Sequence, residues 1–422
     1  MLRTLTPTRA LRTRAPPPPP SSRSFHLSLP AEAPPFLYSP LPHRPLFKVH
    51  GQDALKFTQG LVSNDVRRLA QPGDEEGKHR SLYAAILKAD GRYMQDIMLF
   101  PPPLSSCPSD PPVPTYLIEH DASFTPTLRT YLKRHVLRSK VKLGKAAEQD
   151  LEVCAAWRNT TEESSAEEIK AAEEWLERQK AGLDPRVLGM GYRWVTAKDG
   201  EKPPPELFKP VHPSYFHLHR LVHGIPEGPS DFPALPLEAN LELMNGVDYR
   251  KGCYVGQELT ARTHHKGVVR KRGMVFRLFR EGEDVPTEVL PSADLAPYPN
   301  LFPLPPPDSS LTLLHTTSKR PRASGRLGSS LSLLSSSGST TALAFGSVRV
   351  DNLGDGSNAQ DGVFVVQAPV KEEGKVGEGR DAPEVGDGAG ESSEDGGRWL
   401  AKAFMPEWLS WKLEEEELSK GL

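Results

Sequence analysis

The sequence predicts an α+β fold on three observations. Strand-period and helix-period runs are interleaved without the strand–helix–strand rhythm of a parallel sheet. The C-terminal third holds strand-like runs separated by Pro-rich, Ser-rich and acidic-Gly tracts, the pattern of a small antiparallel barrel carrying loop insertions. Apolar residues make up 37% of a chain with 43 Pro and 34 Gly, below the roughly 45–50% of globular domains. The packed part is therefore smaller than the 422 residues.

Residues 1–32 stand outside the fold. They carry Arg3, Arg9, Arg12, Arg14 and Arg23, and the first acidic residue is Glu32. Arg-rich, Ser/Thr-rich and acid-free is the composition of a mitochondrial presequence, with "RSFHLS" as a processing site near Ser24. This implies the mitochondrial matrix, where thiols stay reduced.

A first α+β part spans 36–150. It opens on a short strand, then "QDALKFTQGLV" places Ala54, Leu55, Phe57 and Leu61 at helical spacing, and "SND" reads as a cap or turn. "RSLYAAILKADGRYMQDIMLF" predicts two strands about a turn at Asp90–Gly91, and "PTYLIEHD" a third. "FTPTLRTYLKRHVLRSKVKL" reads as a helix running into a strand.

A second part spans 151–265. It has a strand in "LEVCAAW", a solvated helix with a Ser/Glu start in 164–182, an aromatic strand in "GYRWV" and a helix in 214–228 stopped by Gly224. The barrel spans 266–422, from "GVVRKRGMVFRLF" through "ALAFGSVRV" and "GVFVVQAPV" to "RWLAKAFMPEWLSW". Residues 281–340 and 371–397 read as unstructured insertions.

Net charge is -2, which gives no support to nucleic-acid binding. No run of about 18 apolar residues predicts a membrane span. The three cysteines, Cys107, Cys154 and Cys253, form no CxxC, which argues against a disulfide framework and a self-contained zinc site.

The informative stretch is "RKGCYVGQELTAR", 250–262. Arg250, Lys251, His264, His265 and Lys266 surround Cys253, and nearby positive charge favours a thiolate. Cys253 reads equally as a reactive thiol and as a buried structural one. One thiolate cannot hold an iron–sulfur cluster alone, so the other ligands of any cluster here come from another chain or a small molecule. Cys107 and Cys154 read as incidental. Gln257–Glu258 either orients a ligand or starts a helix. His217 and His219, like the "THH" at 263–265, are spaced wrongly for a metal pair and read as surface residues. Arg220 suits a ligand carboxylate or an internal salt bridge to Glu238 or Glu242. Asp96 suits an amide-and-amine edge or a hairpin cap.

Together these segments resemble a known family. "KGCYVGQELTAR" is similar to the signature of folate-binding-type mitochondrial iron–sulfur assembly factors. "VHGQDALKFTQGLVSNDV", "YAAILKADGRYMQD", "DPRVLGMGYRW", "RLVHGIPEG" and "LPLEANLELMNGVDYRKGCYVGQE" agree in order, over roughly 44–275. The resemblance implies the three-subdomain clover leaf of the aminomethyltransferase T-protein, with a C-terminal antiparallel β-barrel and a folate-sized channel. It implies tetrahydrofolate bound by Asp96, Arg220, Tyr254 and Gln257. It also implies maturation of 4Fe–4S proteins of the aconitase and lipoate- or biotin-synthase types, with A-type scaffold proteins as partners. Cys253 would be a shared cluster ligand or reactive thiol. Gln95 stands where the transferase has one of two aspartates, and Cys253 where it has an acid. That speaks against the alternative, a tetrahydrofolate-dependent aminomethyltransferase, and for a non-enzymatic factor.

Overall fold

The computed structural model describes residues 34–69, 79–102, 113–145, 150–160, 164–314, 322–354, 358–369 and 397–420. The expected presequence and the expected insertion at 371–397, apart from Gly397, lie outside these.

Three sheets form the body. The first has five strands, built from β2 (Leu46–His50), β3 (Leu82–Leu87), β4 (Tyr93–Phe100), β5 (Thr115–Glu119) and β6 (Lys142–Lys145), in the order β3-β4-β5-β2-β6. Every residue of β3 is buried because both faces are covered. Leu82, Ala84 and Ile86 face α1 (Ala54–Gln59) and α2 (Thr125–Val136), while Tyr83, Ala85 and Leu87 face the centre of the molecule. Such a strand reads as a continuous apolar run.

The second sheet follows the order β10-β1-β7-β9-β8, with β1 at Phe36–Pro40, β7 at Leu151–Arg158, β8 at Gly182–Leu183, β9 at Tyr192–Ala197 and β10 at Phe208–Pro210. The expected boundary at 150/151 is therefore crossed. β1 pairs antiparallel with β7 and parallel with β10, so the first strand of the chain completes the second sheet. α3 (Ala166–Arg178) begins at a full Ser165/Glu168 capping box. It is not merely solvated. Ala172, Trp175 and Leu176 pack on Phe36, Trp194 and Phe208. α4 (Pro213–Val222) ends at Gly224, whose φ of +65° suits glycine and whose missing side chain leaves room for Pro406.

The third sheet closes on itself. Strands β11 (Lys271–Arg280), β13 (Ser310–Leu313), β14 (Gly325–Leu334), β15 (Thr340–Arg349), β16 (Val363–Gln367) and β17 (Trp399–Phe404) form a six-stranded barrel through the β14–β15 pairing. β12 (Ala296–Pro297) adds to β14. Residues 281–340, expected to be unstructured, thus supply β12, β13 and β14. The Ser-rich run misled because small polar residues alternate with Leu327, Leu331 and Leu333, which are buried. α6 (Glu407–Lys420) follows the barrel, and the carbonyl of His223 accepts from Trp408 Nε1 at 2.7 Å.

His120, just after β5, is 1% exposed, and its Nε2 lies 2.8 Å from Thr125 Oγ1. Burial pulls its pKa from 6.5 down to about 4. Unfolding releases it to a pKa of about 6.5, so the unfolded chain binds the proton first. This part of the stability is complete above pH 6.5 and is lost as pH falls through about 4. His217 and His219 shift in the same direction, also through burial. His120→Asn is expected to remove roughly 1–3 kcal/mol of the difference between urea unfolding at about pH 7.5 and pH 5. Identical pH slopes in the two proteins would count against it.

Candidate functional site

Two groups of predicted residues occupy separate places. The first is the Cys253 loop. Residues 245–256 are stitched to the "SND" turn after α1, more than 180 positions earlier in the chain. Ser63 Oγ donates to Gly246 O (2.6 Å), and Asn64 Nδ2 donates to Asn245 O and Tyr83 O (2.7 Å each). Asp248 N donates to Ser63 O (3.1 Å) and Val255 N to Gly60 O (3.0 Å). Gly256 has φ +81°, and a Cβ there would sit 2.3 Å from Lys88 O, so only glycine lets the loop press against the β3–β4 turn.

Lys251 works differently from expectation. It is 8% exposed, and its ammonium donates to the carbonyls of Gln59 and Val62 at the C-terminal end of α1, the end that favours a cation. It also lies 4.7 Å from the centre of the Tyr254 ring. Burial pulls its pKa from 10.5 down to about 8. The ammonium is thus committed to the fold. His264 is likewise stacked on Tyr249, with ring centres 3.7 Å apart. Gln257 starts α5 (Gln257–Lys266), and its Oε1 accepts from Tyr254 N at 3.1 Å.

At the apex Cys253 is exposed. Cys154 is buried between β1 and β9, and burial pushes its thiol up to about 12. Of the two described cysteines, Cys253 is the accessible thiol; Cys107 lies outside the described residues.

The second group centres on Asp96 and Arg220. Asp96, on β4, is fully buried. Its Oδ1 accepts from Tyr93 Oη and Gly228 N, both at 2.9 Å, and its Oδ2 from Arg44 Nη2 at 3.0 Å. Arg220, on α4, donates from Nη1 to Asp231 Oδ2 (2.6 Å) and Ile225 O (3.0 Å), and from Nη2 to Ser329 Oγ (3.0 Å). Its salt-bridge partner is Asp231 rather than Glu238 or Glu242. Gln95 points to the other face of β4, as strand alternation demands. Its amide atoms are buried and have no hydrogen-bond partner among the described residues. No described hydrogen bond or ring contact joins Cys253, Tyr254 or Gln257 to Asp96 or Arg220.

Asp96 belongs to a buried ionic network that the sequence reading missed. Arg44 Nε donates to Glu119 Oε1 (2.8 Å), and Arg193 Nη1 lies 3.2 Å from the same oxygen. Arg193 Nη2 and Arg186 Nη1 both donate to Glu227 Oε2, at 3.0 and 2.9 Å. Arg186 also pairs with Asp184 at 2.6 Å, and His43 Nε2 sits 3.4 Å from Glu227 Oε1. Burial alone would push the Glu227 carboxyl up. The guanidiniums of Arg193, Arg44 and Arg186, with the His43 hydrogen bond, hold it well below the usual carboxylate range. The network ties the first sheet (Asp96, Glu119) to the second (Arg193). The readable signal was a charged residue at an inward strand position, Glu119 in "TYLIEH" and Arg193 in "YRWV". His217 and His219 are half-buried rather than on the surface. His219 stacks on Trp157 at 5.1 Å, and His217 Nε2 lies 3.4 Å from Ser329 Oγ. The described residues contain no group of three or more His, Cys, Asp or Glu able to hold a metal ion, and no helix among them is long and apolar enough to cross a membrane.

No family model matches the chain. It is 38% identical over 252 residues to the "Iron-sulfur cluster assembly factor IBA57 homolog, mitochondrial" of Mycosarcoma maydis, covering 59% of each protein. It is 34% identical over 311 residues to the protein of that name from Aspergillus oryzae, covering 70% of this chain and 68% of the relative. In structure it is similar to the glycine cleavage system aminomethyltransferase T from Bartonella henselae, with a TM-score of 0.52 and 12% identity, over 89% of this chain and 87% of that one. That likeness shows the aminomethyltransferase T-like α+β fold with its closed barrel. The signature around Cys253, the fold and the extent of the sequence match lead to one conclusion: the chain belongs to the family of mitochondrial iron–sulfur cluster assembly factors of the IBA57 type.

Proposed function

We propose that this chain acts in the mitochondrial matrix in the maturation of 4Fe–4S proteins, including aconitase-type and lipoate- or biotin-synthase-type clients, together with A-type scaffold proteins. The cluster is cargo. Cys253 supplies one thiolate to a cluster whose other ligands belong to the partner. The observation that carries this reading is the exposed Cys253 on a loop pinned by Ser63, Asn64 and Lys251. A pre-fixed loop loses little conformational entropy when a partner seats on it. An exposed thiol with no second cysteine beside it among the described residues suits a ligand set completed by another chain. The aminomethyltransferase alternative finds less support, since Gln95 faces away from Asp96.

The test mixes purified chain with an A-type scaffold protein, ferrous iron and sulfide, and follows the visible absorption of the cluster. Cys253→Ser is expected to lose the cluster-dependent complex while its thermal midpoint stays unchanged, because the side chain is exposed. An unchanged spectrum and complex would sink the ligand role.

A further inference from the structure

The resemblance to folate-binding-type proteins assigns Asp96 and Arg220 to a tetrahydrofolate cradle, and the residues as arranged do not fit that ligand. Such a ligand brings three groups: a planar heterocycle, an amide-and-amine edge and a carboxylate tail. Residues 225–232, "IPEGPSDF", set a counterpart of each from the chain itself: a phenyl ring, a backbone N–H and a carboxylate. Phe232 lies flat on Tyr93, ring centres 4.3 Å apart and planes 4° from parallel. Gly228 N donates to Asp96 Oδ1 at 2.9 Å. Asp231 Oδ2 accepts from Arg220 Nη1 at 2.6 Å and from Glu227 N at 3.0 Å, and its Oδ1 accepts from Ser329 N at 2.7 Å.

The loop is tightly built in. Gly228 has φ +78°, and a Cβ there would lie 2.8 Å from Asp121 Oδ2. On barrel strand β14, a Cβ on Gly328 would lie 2.6 Å from Asp231 Oδ1. Glu227, from the same loop, closes the ion pairs with Arg186 and Arg193, so a ligand that displaced the loop would leave two buried guanidiniums short of a carboxylate. Below it, Arg44 Nη1, Glu119 Oε2, Arg193 Nε and Tyr83 Oη are buried without a hydrogen-bond partner among the described residues; their spare capacity lies beneath the loop, which covers them. Two cavities among the described residues, of about 310 and 90 Å³, open beside Trp399 and beside Cys154, and neither is lined by Asp96 or Arg220.

We infer that residues 225–232 are a built-in occupant of the ancestral ligand cradle, so that the chain takes no tetrahydrofolate at Asp96 and Arg220 and uses the occupied cradle to lock its sheets together. This does not depend on the role of Cys253. The test is calorimetric titration of the full-length chain with 5-formyltetrahydrofolate to about 1 mM, beyond which affinity is too weak to matter here. No saturable heat is expected, from the wild type or from Arg220→Ala. Saturable binding by the wild type would overturn the inference, and that arm needs no variant to fold. Asp231→Asn, which weakens the internal carboxylate, is expected to lower the thermal midpoint by several degrees. An unshifted midpoint would overturn the locking half.

Discussion

Glu227→Ala is expected to lower the free energy of unfolding by about 3–5 kcal/mol, among the larger effects available to a single substitution. The side chain is 3% exposed and takes hydrogen bonds from Arg186 and Arg193 on one oxygen, with His43 beside the other. Truncation leaves both guanidiniums buried beside Asp184 and Glu119 with one carboxylate too few. The cost comes from that uncompensated charge, not from the intrinsic worth of an ion pair. An exposed pair such as Lys170–Glu174 is expected to contribute about 0.3–0.5 kcal/mol when tested the same way. Urea denaturation followed by far-ultraviolet circular dichroism separates the two scales. If Glu227→Ala costs no more than Glu174→Ala, the network is not what holds the first two sheets together.

Lys251→Met is expected to cost about 1–3 kcal/mol. Methionine fills much of the same volume, so the lost term is the ammonium's pair of hydrogen bonds to Gln59 O and Val62 O and its position over Tyr254. The consequence should be local as well as global. Val255 N, bonded to Gly60 O at 3.0 Å, lies next to the released tether, and its amide should exchange with deuterium about tenfold or more faster relative to amides in the barrel. Lys251→Arg keeps the charge but replaces a compact ammonium by a planar fork, so it should restore only part of the protection. Equal protection of Val255 in wild type and Lys251→Met would show that the backbone contacts alone fix the loop.

Much of the fold follows from local rules that a sequence displays. The Asp90–Gly91 turn between two apolar runs becomes the β3–β4 hairpin, the Ser165/Glu168 pair caps α3, and Gly224 ends α4. Each depends on residues within one turn or hairpin, so periodicity and cap chemistry suffice. The motif around Cys253, with its single thiol, is equally legible, because its glycines and its cysteine are chemical facts of the chain.

What only the tertiary structure decided is where distant charges meet. Lys251 stands two residues from Cys253 in sequence, yet its ammonium is spent on α1, some 190 positions away. Arg220 reads in sequence as a ligand anchor or as a partner of Glu238 or Glu242, and only the fold sets Asp231 against it. The strands at 310–334 hide in Ser- and Pro-rich sequence because barrel closure, not local propensity, gives Leu311, Leu327 and Leu331 an inside to face. Burial and ion pairing are set by contacts between segments tens to hundreds of residues apart, and one sequence read along its length carries no record of which segments will touch.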